Sequence, residues 1–123
     1  MENLKGKNIL LAEDNPVNIL IIKQILSKYG IVTRVAVNGE EATELFQVDK
    51  YDLVLMDLQM PLKNGYEALE YIREFDNSIP VIALTASSLS EIEKRFNEST
   101  FNDFLEKPFK EDDIISKIAY LIN

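Results

Sequence analysis

Carboxylates stand at the ends of two short apolar runs in this chain. Residues 9–12 run directly into Glu13 and Asp14. Residues 53–56 run directly into Asp57. A carboxylate that ends a buried segment is costly unless a cation or a hydrogen-bond donor accompanies it, so a functional site explains Asp57 better than structure alone. Asp14 or Asn15 could cap the first helix, but the adjacent Glu13 is not needed for capping, so we favour metal binding and allow both roles.

A hydroxyl and an ammonium group stand at two further run ends. Thr85 follows residues 80–84, and Lys107 follows residues 103–105. Each would be an ordinary residue if taken alone. If the four run ends meet at one edge of a sheet, three carboxylates, a hydroxyl and an ammonium group share one crevice.

Three carboxylates in one crevice repel one another. Each like-charge contact costs about 4 kcal/mol at about 4 Å and an effective dielectric constant of about 20. A hard divalent cation relieves this repulsion, and oxygen ligands without His or Cys point to Mg²⁺. A carboxylate beside such a cation can act as a nucleophile. With Lys107 and Thr85 contacting the phosphoryl oxygens, the residues predict a site that accepts a phosphoryl group on Asp57.

Composition removes several other kinds of chemistry. The 123-residue chain has no cysteine and no histidine, which excludes a thiolate nucleophile, a disulfide and an imidazole base. Its net charge of −8 argues against direct nucleic-acid binding. The N-terminal residues lack the pattern of a secretion signal, and no apolar run approaches the length of a membrane span. We therefore expect a cytoplasmic protein without membrane contact.

Short apolar runs alternate along the chain with segments of helical periodicity. The predicted strands are residues 8–12, 33–37, 53–56, 80–84 and 103–105. Several are continuous runs of Val, Ile and Leu, which is typical of strands covered on both faces.

The segments between the strands carry helix start and stop signals. Pro16 suits the first position of a helix and Gly30 its end. Asn-Gly pairs precede the second and third helices. Acidic residues 111–113 favour the start of the last helix and are expected to be solvated. The polar stretch 88–99 is the weakest helical segment, and we interpret it as the element that a switch would move.

Five alternating strand–helix units predict a single α/β domain over residues 1–123. Such units form a parallel sheet with right-handed crossovers. We expect a flavodoxin-like doubly wound five-stranded parallel sheet, with strand order 2-1-3-4-5 and helices on both faces. In that fold the carboxyl ends of all strands meet at one edge, where ligands bind between the first and third strands.

The motifs at these strand ends resemble those of response regulator receiver domains (CheY-like). They are Glu13-Asp14 after the first strand, Asp57 within LMDLQMPLKNG, Thr85 within ALTA, and Lys107-Pro108 after the fifth strand. Each motif is weak alone, but the four in this order cover the chain and make a specific signal. AEDNPVN, MDLQMP and ALTA are similar to the receivers of hybrid sensor histidine kinases. Asn64 stands where many family members have Asp, a position that shapes a turn.

The resemblance implies a metal-dependent phosphoacceptor. Asp57 would receive the phosphoryl group. Glu13, Asp14 and Asp57 would hold Mg²⁺. The backbone carbonyl of Gln59 would be a further metal ligand.

The resemblance also implies a switch. Thr85 and Lys107 would bind the phosphoryl group, and the Lys107–Pro108 bond is typically cis in the family. Phe104 occupies the position of the aromatic switch residue. On phosphorylation Thr85 would move towards the phosphoryl group and Phe104 would turn inward. The face shared by the fourth helix, fifth strand and fifth helix would change.

Partners follow from the same resemblance. The donor would be a phosphohistidine on a sensor histidine kinase or on a histidine phosphotransfer protein. The switching face would bind a downstream effector or a second copy of the chain. The protein would catalyse its own phosphorylation and slow dephosphorylation rather than act as a turnover enzyme. No output domain follows Asn123, so we expect a free-standing receiver or a part of a hybrid kinase.

Three other functions fit the sequence less well. The first is a receiver-like interaction module that is never phosphorylated. The second is a phosphatase with an Asp nucleophile, but Leu58 and Gln59 follow Asp57 where such enzymes place a second acid. The third is a nucleotide- or flavin-binding module, but residues 13–16 are acidic and would repel phosphate. Asp52, at the other end of its strand, is expected to be solvated.

Overall fold

The computed structural model describes residues 4–60, 62, 64–86 and 101–122. Its sheet consists of the parallel strands β1 (Asn8–Ala12), β2 (Val32–Ala36), β3 (Leu53–Asp57), β4 (Val81–Thr85) and β5 (Asp103–Glu106). They lie in the order β2-β1-β3-β4-β5. The predicted flavodoxin-like doubly wound topology is therefore confirmed.

Helices cover both faces of the sheet. Those in the described part of the chain are α1 (Pro16–Lys28), α2 (Gly39–Val48), α3 (Gly65–Phe75) and α4 (Glu111–Ile122). The element α4 is the fifth helix predicted from the sequence, because the fourth predicted helix, over 88–99, lies outside the described residues. None of the described helices combines the length and the apolar character needed to cross a membrane.

The strands β3 and β4 extend one residue beyond their predicted bounds. Asp57 is in register with Leu84, and Thr85 with Glu106. Local sequence preference disfavours Asp in a strand, but pairing with neighbouring strands overrides it here. The sheet itself, rather than a loop, therefore holds the backbone of both polar residues.

Asparagine side chains begin three of the helices. The Asn15 Oδ1 atom accepts hydrogen bonds from two backbone N–H groups of α1, so Asn15 rather than Asp14 is the helix cap. Asn38 caps α2 in the same way. Asn64 and Glu67 form a reciprocal capping box at the start of α3. Gly30, with φ of +74°, follows the end of α1, where a positive φ favours glycine.

The core lies on both sides of the sheet. Leu11 and Leu55 pack with α1 and α4 on one side, whereas Leu10, Val54 and Met56 pack with α2 and α3 on the other. All five side chains are fully buried, and each contributes roughly 1.5–3 kcal/mol through burial. Glu13, which directly follows β1, and Asp57, which ends β3, therefore adjoin a low-dielectric interior.

Two acidic groups that we expected to be solvated are hydrogen-bonded. Asp52 Oδ2 accepts a hydrogen bond of 2.7 Å from the Asn8 N–H. Glu111 accepts from Lys28 Nζ at 2.7 Å and from the Tyr29 hydroxyl at 3.1 Å, which joins α4 to α1. Both acids remain partly exposed, so they are solvated and hydrogen-bonded at once. Their partners lie 44, 83 and 82 residues away along the chain, so the sequence did not indicate these contacts.

Candidate functional site

Five predicted site residues meet at one edge of the sheet. Glu13 and Asp14 directly follow β1, Asp57 and Thr85 end β3 and β4, and Lys107 directly follows β5. One carboxylate oxygen from each acid lies within 4.8 Å of the other two. We call this group of five residues the carboxyl edge. Because parallel strands end together, residues up to 94 positions apart come into one site.

Glu13 is a buried acid that is only half satisfied. Its side chain has no exposed surface, and its Oε2 atom accepts a hydrogen bond of 3.2 Å from the Asn15 N–H. Its Oε1 atom has no hydrogen-bond partner among the described residues. Lys107 Nζ lies 3.4 Å from Oε1, close enough for attraction but without hydrogen-bond geometry. The pKa of Glu13 is raised to about 7, mainly by burial and secondly by the neighbouring Asp57 carboxylate.

Asp57 is nearly buried, and its two carboxylate oxygens have different surroundings. Oδ1 accepts a hydrogen bond of 3.0 Å from the Gln59 N–H. Oδ2 lies 3.5 Å from Lys107 Nζ. Lys107 thus stands between Asp57 and Glu13 and partly balances both charges. A backbone N–H therefore holds Oδ1, whereas Oδ2 has the longer contact with Lys107.

A cleft of about 350 Å³ opens at the carboxyl edge. Asp14, Asp57, Thr85 and Lys107 line it, and Asp14 is exposed. Gln59 lines it as well. The cleft therefore presents carboxylates, a hydroxyl and an ammonium group to one small volume, which suits a cation together with a small anionic group.

The donor set fits a hard divalent cation. The three acids offer oxygen atoms, which Mg²⁺ prefers. The buried Glu13 Oε1 has Lys107 Nζ 3.4 Å away but accepts no hydrogen bond from the described residues, so a cation would supply a ligand contact that this atom lacks. Asp14 is exposed, so water could supply further ligands to a bound ion. Glu13, Asp14 and Asp57 are the side chains that could hold Mg²⁺.

Gly65 adjoins the site, although its residue type alone does not indicate this. A Cβ atom at Gly65 would lie 2.4 Å from the Asp57 carbonyl oxygen and 2.9 Å from the Leu58 Cα atom. The first turn of α3 therefore presses on the backbone that carries Asp57. The Asn-Gly pair at the start of this helix was the available signal, but a helix-start glycine by itself does not show what it contacts.

The aromatic residue Phe104 lies outside the cleft. It is half-buried in β5, beside a groove that Lys107, Lys110 and Lys117 also line. The peptide bond between Lys107 and Pro108 is cis, as the resemblance implied. The site and the predicted switch residue thus lie on neighbouring but separate surfaces.

Proteins of known family resemble this chain in sequence. The family model of the response regulator receiver domain matches residues 9–119. The transcription factor SKN7 of Saccharomyces cerevisiae is 39% identical over 118 residues, which cover 95% of this chain and 19% of that protein. Hybrid signal transduction histidine kinase B of Dictyostelium discoideum is 40% identical over 124 residues, which cover 90% of this chain and 6% of that protein. The chain thus spans a small part of these relatives.

Solved structures agree with the sequence relatives. The receiver domain of sensor histidine kinase PA1611 from Pseudomonas aeruginosa, which has magnesium in its active-site cleft, superposes with a TM-score of 0.88 at 34% identity, covering 95% of this chain and 98% of that one. The receiver domain of Ssk1 from Saccharomyces cerevisiae was solved in complex with the histidine phosphotransfer protein Ypd1. It superposes with a TM-score of 0.88 at 30% identity, and the match covers 98% of this chain and 91% of that one. The chain therefore belongs to the response regulator receiver domains of two-component signalling systems.

Proposed function

We propose that this receiver is a switch controlled by Mg²⁺-dependent phosphorylation of Asp57. The observation that carries the proposal is the meeting of three carboxylates with Lys107 at the carboxyl edge. This arrangement combines a nucleophile, a place for a cation and a fixed positive charge. Membership of the receiver family supports the same function.

Asp57 Oδ2 is the proposed nucleophile. It forms a bond to phosphorus while the bond from phosphorus to the donor imidazole nitrogen breaks, and the electron pair of that bond stays on the nitrogen. With the other ring nitrogen of the donor protonated, the products are an acyl phosphate on Asp57 and a neutral imidazole on the donor. The Gln59 N–H holds Oδ1, so the carboxylate keeps its orientation during the reaction.

Other residues of the cleft stabilise the phosphoryl group. Lys107 Nζ already lies 3.5 Å from Asp57 Oδ2 and would contact a phosphoryl oxygen there. The Thr85 hydroxyl lines the same cleft and would donate to another oxygen. Bound Mg²⁺ would neutralise charge on the transferred group. Glu13, Asp14 and Asp57 would hold the ion, with the Gln59 carbonyl as a further ligand.

Phosphorylation of Asp57 would alter a surface outside the cleft, around β5 and α4. Thr85 would move towards the phosphoryl group, and Phe104 would turn inward from its half-buried position in β5. The surface around β5 and α4 would then change its affinity for an effector or for a second copy of the chain. Exchange of backbone amides in β5 with and without a phosphoryl mimic would measure this change.

The proposed donor is a phosphohistidine on a sensor kinase or on a phosphotransfer protein. The Ssk1 receiver forms a complex with the histidine phosphotransfer protein Ypd1, which supports a partner of this type. The relatives among hybrid kinases support a place in a phosphorelay.

Intact-mass analysis tests the phosphoacceptor. Incubation with acetyl phosphate and Mg²⁺ should add one phosphoryl group, and Asp57→Asn should abolish the addition. Asp52→Asn, at the opposite end of β3, is the matched control and should be labelled like the wild type. Labelling that survives Asp57→Asn would contradict the proposal. A wild type that is never labelled would favour an interaction module, and multiple turnover on phosphate monoesters would favour a phosphatase.

A Mg²⁺ titration tests the metal site separately. Calorimetry should show one Mg²⁺ ion bound per chain, and Asp14→Asn should weaken the binding because one ligand loses its charge. Asp52→Asn should bind Mg²⁺ like the wild type. Equal affinity in Asp14→Asn and the wild type would remove Asp14 from the metal site.

A further inference from the structure

Lys117 of α4 makes three contacts with two consecutive residues of β5. Its Nζ atom donates a hydrogen bond of 2.7 Å to the Phe104 carbonyl oxygen and lies 3.1 Å from Asp103 Oδ1. The same atom lies 5.1 Å from the centroid of the Phe104 ring. Asp103 Oδ1 also accepts a hydrogen bond of 2.8 Å from the Phe104 N–H. One ammonium group therefore links the ring, the backbone and the neighbouring carboxylate.

This arrangement differs from the more exposed ion pairs of the chain. Lys28 and Arg34 have 63% and 58% of their side chains exposed, whereas Lys117 has 32% exposed. An exposed ion pair contributes little because water screens it and two flexible side chains must be ordered. A partly desolvated ammonium over an aromatic ring interacts more strongly. The position of Lys117 therefore has an energetic effect on Phe104.

We propose that Lys117 is a positioning residue that holds the Phe104 ring in its half-buried orientation. The inference rests on the proposed function, in which Phe104 turns inward on phosphorylation. A ring that turns away from Nζ loses the cation–π contact. The ring lies 5.1 Å from Nζ in its present orientation, so the contact favours this orientation and opposes a turn away from Nζ. Lys117 thus sets how readily phosphorylation at Asp57 is converted into a change around β5.

Three variants separate this role from a general effect on stability. Lys117→Met keeps a long apolar stem but removes the charge and its hydrogen bonds. Lys117→Arg keeps a cation and donors that can reach the same partners. Lys28→Met removes an ion pair from α1, away from Phe104, and is the matched control. Urea unfolding of all three measures their stability.

The first measurement observes Phe104 in the unphosphorylated protein. NMR spectra of phenylalanine-labelled protein, with the Phe104 signals assigned through Phe104→Leu, report the orientation of this ring. Lys117→Met should shift the Phe104 signals towards a second orientation, whereas Lys117→Arg and Lys28→Met should leave them near wild type. Unchanged Phe104 signals in Lys117→Met would overturn the proposal, whether or not Asp57 is ever phosphorylated.

The second measurement is the affinity for beryllium fluoride, a non-covalent phosphoryl mimic, in the presence of Mg²⁺. Binding and ring reorientation are coupled reciprocally, so removing the contact should tighten binding by roughly three- to tenfold. If Lys117 only stabilised the fold, Lys117→Met would lower the unfolding free energy without tightening the binding of the mimic, and that result would also overturn the proposal. If the wild type binds no mimic and takes no label, the proposed function fails and the NMR comparison alone decides the role of Lys117.

Discussion

Polar side chains at the two edges of the sheet differ in how fully the protein satisfies their hydrogen bonds and charges. At the carboxyl edge, acids crowd together and one buried oxygen lacks a hydrogen bond among the described residues. At the other edge, where the strands begin, polar groups form a network that the protein satisfies by itself. We call Arg73, Asp76, Ser78, Ile79 and Asn102 the amino edge.

The amino edge is built from complementary donors and acceptors. Arg73 donates to the carbonyl oxygens of Asp76 and Ile79 and to Asn102 Oδ1, at 3.3, 2.6 and 3.0 Å. Asp76 Oδ1 accepts from the Ser78 N–H, the Ser78 hydroxyl and the Ile79 N–H. These contacts close the connection between α3 and β4 and join it to the residue before β5. The network is structural because its partners are all within the protein.

The pKa values of two acids express the difference. Hydrogen bonds from Ser78 hold the pKa of Asp76 below its ordinary value, so the protein favours the charged form. Burial raises the pKa of Glu13 to about 7, so the protein alone disfavours the charged form. Where the fold disfavours the charged form of an acid, as at Glu13, an external cation can stabilise that form. Where hydrogen bonds within the fold favour the charged form, as at Asp76, the acid has a structural role.

The largest expected effect comes from crowding the carboxyl edge. Gly65→Ala places a Cβ atom 2.4 Å from the Asp57 carbonyl oxygen, so the backbone must move. We expect it to lose about 1–3 kcal/mol of unfolding free energy. Phosphorylation of Asp57 by acetyl phosphate should slow by roughly 10- to 100-fold because the nucleophile is displaced. Urea unfolding and intact-mass time courses measure the two effects.

Gly6→Ala is the matched control for crowding. A Cβ atom at Gly6 has nothing within 4 Å, so this change adds only the strain of alanine at φ of +81°. It should lower stability without slowing phosphorylation. Equal phosphorylation rates for Gly65→Ala and the wild type would show that α3 does not position Asp57.

Neutralising one acid at each edge should change stability in opposite directions. Without divalent cations, Asp57→Asn should raise the unfolding free energy by about 1 kcal/mol, because it removes repulsion from Glu13 and Asp14. Asp76→Ala should lower it by about 1–3 kcal/mol, because the Ser78 and Ile79 donors lose their acceptor. Urea unfolding in a chelating buffer measures both. Two changes of the same sign would refute the contrast between the edges.

The pH dependence of stability should reveal the charged state of Asp76. Its pKa is depressed, so its contribution is complete above the ordinary value of 3.8 and is lost as pH falls through the folded-state pKa. The stability advantage of the wild type over Asp76→Asn should therefore be constant near neutral pH and shrink in acid. Urea unfolding of both proteins between neutral and acidic pH measures it. A constant difference down to the acid limit would show that the Asp76 charge is not favoured by folding.

The smallest effect concerns backbone conformation. The two residues with positive φ that precede β1 and β2 are glycines, Gly6 and Gly30. In the loop after β3, the residue with positive φ is Leu62, whose φ is 68° and whose side chain is 77% exposed. A left-handed conformation costs an L-residue about 1–2 kcal/mol, which glycine avoids at some cost in entropy. Leu62→Gly should therefore raise the unfolding free energy by up to about 1 kcal/mol. Thermal unfolding measures this gain, and a loss would show that the Leu62 side chain stabilises its loop.

Much of the fold and the candidate site could be predicted because both depend on chain-local patterns. Continuous Val, Ile and Leu runs indicated buried parallel strands, and parallel strands must end at one edge. The position of Asp57 directly after such a run was therefore sufficient to place it near Glu13 and Lys107. Strand bounds were off by a residue where cross-strand pairing extended β3 and β4.

Contacts between distant segments could not be predicted in the same way. Three such contacts depend on how the elements pack. They are the close approach of Gly65 to the Asp57 backbone, the Asn8–Asp52 hydrogen bond and the contact of Lys117 with Phe104. Glycine, aspartate and lysine occur in many environments, and their residue types alone do not select one.

By itself, the sequence determined the alternation of strands and helices, the acids at the strand ends and the lack of any thiol or imidazole for other chemistry. Only the tertiary structure decided which oxygen of Glu13 accepts no hydrogen bond within the described part of the chain and which lysine reaches Phe104. The physical reason is that hydrophobic patterning acts along the chain and sets topology. Hydrogen bonds and charge interactions act over a few ångströms, so they depend on the final distances between segments that the sequence keeps far apart.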